Sequence, residues 1–128
     1  MTPSTRKSSQ AATQEQVDNY ERLMPMLEAA HSEMSELSKK KQDGVLNPLK
    51  IRNINRLLDG VSAILKSRPA YEFLEMLDEE TIPQNSDAVL LLSQWKAALA
   101  QFKVSNHGYD GSRHRWFTVD NPAPTRRP

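Results

Sequence analysis

The residues of this chain best suited to chemistry sit together near its C-terminus, in His107-Gly108-Tyr109-Asp110-Gly111-Ser112-Arg113-His114. Two imidazoles and a carboxylate in one short segment are ligand types that zinc or nickel accepts. The same stretch brings together Ser112, His114 and Asp110, the residue types of a nucleophilic triad. Either chemistry needs groups held to within about an ångström by rigid elements. A glycine-flanked segment that follows the last helical pattern does not supply them, so a turn over Tyr109-Asp110-Gly111 is the expected structure.

A second pair, Glu28 and His31, has the Glu-x-x-His spacing that places both side chains on one helical face, as in di-iron bundles. Such sites take a second copy of the pair and two further inward glutamates. The chain has one copy, and its other histidines, His107 and His114, fall outside the helical patterns. There is no glycine-rich phosphate loop, and no pair of carboxylates is set across a cleft for acid–base work. Zero cysteines exclude disulfides, thiolate zinc sites and cysteine nucleophiles. A non-enzymatic protein without metal or cofactor is expected.

The elements that must position any site are helices. Thr13-Gln14-Glu15-Gln16 reads as a capping box. Val17, Tyr20, Met24, Leu27, Met34 and Leu37 then recur at helical spacing, with Pro25 predicting a kink inside the helix rather than its end. Asn47-Pro48 starts a second helix, whose apolar face runs from Leu49 through Ile51, Ile54, Leu58 and Val61 to Leu65. Gly60 on that helix suggests a point of close packing. Ser67-Arg68-Pro69 ends it and opens a shorter third helix carrying Tyr71, Phe73, Leu74 and Leu77. A fourth begins near Asn85 or Ser86. Its run Val89-Leu90-Leu91-Leu92 leaves no polar side, which predicts first turns surrounded by the other helices.

These elements predict an all-α fold: a small bundle of three long helices and one short one over residues 13–104. A disordered leader over 1–12 and an extended Gly/Pro-containing aromatic and basic tail over 105–128 flank it. A first helix of about 27 residues would span ~40 Å, beyond partners spanning ~30 Å. Its Met34 and Leu37 end is therefore a candidate overhang, or the kink folds the excess back. Trp116-Phe117 either fold back on the bundle or are offered to a partner.

Charge is arranged in blocks behind a formal net charge of +1. An acidic stretch from Glu15 to Glu36 is followed by a basic one from Lys39 to Arg68, then acidic residues from Glu72 to Asp87 and a basic tail. Segregated charge suits docking between surfaces. The expected function is a protein–protein interaction module, an accessory, adaptor or inhibitor subunit of a cytoplasmic complex, with Met34, Leu37, Trp116 and Phe117 as its apolar contacts. A homodimer fits the same features. The alternative is a nucleic-acid-associated subunit of a nucleoprotein assembly, with Lys39, Lys40, Lys41, Arg52, Arg56, Lys66, Arg113 and Arg115 tracking phosphates. No apolar run reaches the ~18 residues of a membrane span, and the N-terminus lacks the apolar core of a secretory signal.

Overall fold

The computed structural model of the chain describes residues 11–125. The expected disordered leader lies outside the described residues as far as residue 10, as do the last three residues of the tail.

Helix α1, Gln14–Lys40, starts where its cap dictates. The Gln16 backbone N–H donates to the Thr13 hydroxyl at 3.1 Å, and the Thr13 N–H donates to the Gln16 side chain at 3.0 Å. Two of the donors left free at a helix start are thereby satisfied. Pro25 lies within the helix without ending it. Helix α2, Pro48–Leu65, follows an Asn47 cap that accepts from the Lys50 N–H at 2.8 Å. Gly60 turns toward α1, and a Cβ there would lie 3.3 Å from Leu23 Cδ1, so the glycine sets a close approach of the two helices.

Helix α3, Asn85–Asn106, begins beside the C-terminal end of α1. Asn85 donates from its backbone to Gly44 O and from its side chain to Lys41 O, both at 2.8 Å, and the Ser86 N–H reaches Gln42 O. At the far end Phe102 stacks on Tyr20, with ring centroids 6.1 Å apart. Helix α3 therefore runs antiparallel to α1, and so parallel to α2. Leu27 and Met34 of α1, Leu58, Val61 and Ile64 of α2, and Leu92, Trp95 and Leu99 of α3 meet in the core. Each such burial stabilises by roughly 1.5–3 kcal/mol.

Two helices running the same way need a crossover, and within it the expected short helix forms as a 3₁₀ turn. Residues 66–84 return along the bundle as a 3₁₀ turn over Pro69–Phe73, an extended stretch, and a second 3₁₀ turn over Glu79–Thr81. An α-helix over 69–77 would advance only about 14 Å, roughly half the length of α2. The looser 3₁₀ and extended forms cover the distance. Tyr71, Leu74 and Leu77, three residues apart, all reach the core, while Phe73 is 74% exposed.

The tail is corrected too. Helix α3 continues to Asn106, and strands β1, His107–Tyr109, and β2, His114–Trp116, form an antiparallel hairpin. The chain then reaches the start of α1, where the Val119 N–H donates to Ala12 O at 2.8 Å and Ala12 is buried. The architecture is a mostly helical bundle carrying a two-stranded hairpin. Among the described residues no helix is long and apolar enough to cross a membrane.

Candidate functional site

The hairpin gathers the chemistry-bearing residues of the tail and assigns them structural work. Asp110 is the hinge. Its Oδ1 accepts from the backbone N–H groups of Ser112 and Arg113, each at 2.8 Å, and its Oδ2 accepts from Arg115 Nε at 2.7 Å. The Arg113 N–H first, then the Arg115 guanidinium and the Ser112 N–H, hold this carboxyl far below the usual carboxylate range. Gly111 takes φ +99, a conformation glycine adopts without strain, and completes the turn. The carboxylate is thus committed to the turn and to Arg115, not to orienting a histidine.

His107 and His114 stack with ring centroids 6.5 Å apart. Partial burial, then Lys103, then His114, push the His107 imidazole toward its neutral form, with Glu21 opposing. Two imidazoles alone are a thin ligand set, and among the described residues no group of three or more His, Asp or Glu side chains is placed to hold a metal. The Glu28 and His31 pair lines a shallow groove of about 350 Å³ against Ser93 and Lys96 of α3. Burial and the Lys96 ammonium lower the His31 pKa. The same ammonium disfavours a bound cation at this place.

The apolar contacts expected from sequence lie mostly inside the molecule. Met34 is 2% exposed, beside Ile54 and Leu57 of α2, and Leu37 packs partly against the core. Of the two alternatives for that end, an uncovered overhang at Met34 is not what forms. Trp116 folds back: its ring meets Tyr20 edge-on at 5.1 Å and Phe102 at 5.8 Å, and its indole N–H donates to Glu21 Oε2. Phe117 is half-buried under the Arg115 guanidinium, 4.9 Å from the ring centroid, and its N–H donates to Asn106 O.

The eight cations separate in the same way. Arg115 is a tail fastener, donating to Trp116 O, Asn121 O and Pro122 O besides Asp110. Arg52 stands 3.8 Å from Glu79 and Lys39 stands 3.2 Å from Glu36. Lys40, Lys41, Arg56, Lys66 and Arg113 are exposed.

What sequence reasoning missed is the outer face of α3. The Val89–Leu92 run is not enclosed: Leu92 is fully buried, but Leu90 is 61% exposed. Along the same face follow Gln94, Ala97 and Gln101, all exposed, and then Val104 at 70% exposure. Ala97 forms a low ridge between two grooves. One is the Met24–Lys96 groove against α1, and the other, about 370 Å³, lies against Ala70, Phe73 and Leu74 of the crossover. No charged side chain interrupts this row. A signal was present, since positions 90, 94, 97, 101 and 104 share a helical face, but the continuous leucine run hid it.

Comparison of the chain with protein-family models finds no match, and neither do comparisons with curated proteins and with solved structures. The surface itself carries the functional argument.

Proposed function

We propose that the protein is a non-enzymatic protein-interaction module that docks through the uncharged outer face of α3. The observation that carries this reading is the row Leu90, Gln94, Ala97, Gln101 and Val104, which no described part of the chain covers. Exposed apolar residues scattered singly mean little, but a row on one rigid helix rimmed by Phe73 is the form of a helix-docking surface. The occupant that fits is a protein helix with an uncharged amphipathic face. A polyanion would gain nothing from a row without cations. The chemistry-bearing residues support a non-catalytic role as well, since Asp110 and Arg115 are engaged in closing the hairpin.

The test is quantitative capture with the immobilised chain, comparing wild type with the double variant Leu90→Glu, Val104→Glu. Retention of one protein at fixed stoichiometry, weakly dependent on salt and lost in the double variant, is the expected result. Retention of nucleic acid that falls steeply with salt and is lost on Arg52→Glu, Arg56→Glu would replace this reading with the nucleoprotein alternative.

A further inference from the structure

We infer that the occupant of the α3 face is a second copy of this chain, paired antiparallel about a two-fold axis at Ala97. The inference rests on the reading of that face as an interaction surface and names its partner.

Three features of the row make it self-complementary. The first is spacing. Leu90 and Val104 stand seven residues on either side of Ala97, while Gln94 stands three before it and Gln101 four after it. In an antiparallel pair centred on Ala97, Leu90 therefore meets Val104 of the second copy, and Gln94 falls one residue, about 1.5 Å, from Gln101 of the second copy. A two-fold interface demands this reciprocity, in which one patch serves as both partners.

The second feature is hydrogen-bonding chemistry. A glutamine amide carries an acceptor and two donors, so two glutamines facing each other are matched without any third group. A charged partner surface would leave its ions desolvated against this row. Ala97 at the centre is small enough to let two helix axes approach closely, since that separation is set by the side chains at the crossing.

The third feature is charge along the helix. The charged residues of α3 are Asp87 near its start, Lys96, and Lys103 near its end. Antiparallel pairing keeps the Asp87 ends of the two copies apart and opposes the two helix dipoles favourably. Parallel pairing would set Asp87 beside Asp87. A net charge of only +1 leaves little long-range repulsion between copies. Phe73, on the rim of the groove beside Ala97, extends the apolar contact beyond the helix.

The test uses the full chain in sedimentation velocity from about 1 µM to about 500 µM. The expected result is a concentration-dependent doubling of the 14.6 kDa mass. Ala97→Arg should retain the helical circular dichroism of the wild type while weakening self-association by at least about 100-fold. Because the chain has no cysteine, orientation is read by mild oxidation of single-cysteine variants. Ala97→Cys should cross-link with itself, and Leu90→Cys should cross-link with Val104→Cys in a mixture more readily than with itself. A wild type monomeric throughout the range overturns the inference. So does a dimer that survives Ala97→Arg, or a cross-linking pattern that pairs Leu90 with Leu90. A monomeric wild type whose capture of another protein is nonetheless lost in Leu90→Glu, Val104→Glu assigns the face to a foreign partner. Self-pairing then fails while the interaction reading stands.

Discussion

The indole N–H of Trp116 donates to the Glu21 carboxylate at 2.9 Å, joining residues 95 apart in sequence. The bond fastens the C-terminal hairpin to the first helix, and the Trp116 ring completes an aromatic cluster with Tyr20, Phe102 and His107. Trp116→Ala should lower stability by about 2–3 kcal/mol, the lower part of the range for large aromatics because the ring is only half-buried. Trp116→Phe, which removes the N–H but keeps most of the ring, should cost about 1 kcal/mol. Urea unfolding of the three proteins checks the order. Equal stability of Trp116→Ala and wild type would mean that the hairpin is not part of the folded unit.

Acid should loosen the hairpin before the bundle. Both relevant groups have folded-state pKa values pushed down, so both contribute stability at neutral pH that is lost on acidification. His107 prefers its neutral form, and its contribution fades as pH falls below about 6.5. Asp110 contributes above the ordinary carboxylate value of 3.8, and this is lost as pH drops further. Amide exchange at residues 107–117 should rise in that order. Asp110→Ala should abolish the second step while leaving helix protection intact.

Asn55 of α2 holds the crossover by both of its amide atoms. Asn55 Nδ2 donates to Leu77 O at 2.8 Å, and the Leu77 N–H donates to Asn55 Oδ1 at 2.9 Å. Leu77 is buried, so losing this amide strands two backbone groups. Asn55→Leu should cost about 2–4 kcal/mol and Asn55→Asp somewhat less, since aspartate keeps the acceptor. The measurement is thermal unfolding together with amide exchange, in which the Leu77 N–H should stay protected in Asn55→Asp, where a carboxylate oxygen still accepts from it, and lose protection in Asn55→Leu.

Ile82 carries a positive φ of 54 while being 62% exposed. A β-branched residue in the left-handed region is strained, and here little burial offsets the strain. Ile82→Asn, which tolerates that conformation, should raise stability by about 0.5–1 kcal/mol, read as a higher urea midpoint with an unchanged slope. A lower midpoint would show that the isoleucine side chain is held by contacts that outweigh its backbone cost.

Much of the secondary structure was legible in the sequence. Thr13 and Gln16, Asn47 and Pro48, and the Asp110-Gly111 turn all act through contacts spanning two to four residues, and such signals survive any tertiary arrangement. The same locality explains the candidate-site residues that moved. Trp116 and Phe117 could be read as offered or folded back, because only the placement of Tyr20 and Phe102, 96 and 14 residues before Trp116, decides between them. Met34 looked uncovered because the residues beside it include Ile54 and Leu57 of α2, some 20 residues later in the chain.

The sequence by itself determined three long helices, their starts, and the absence of thiol chemistry. These follow from periodicity, capping and composition, which are properties of short windows. Only the tertiary structure decided that the residues after α2 stretch into a crossover instead of coiling, because the length to be bridged is set by where α3 docks. That docking in turn settled which side of α3 is buried. Leu92, Trp95 and Leu99 face inward because α1 and the crossover meet there, and Leu90, Ala97 and Val104 are left facing out. A run of apolar residues cannot specify its own bare face, since burial depends on neighbours distant in the chain.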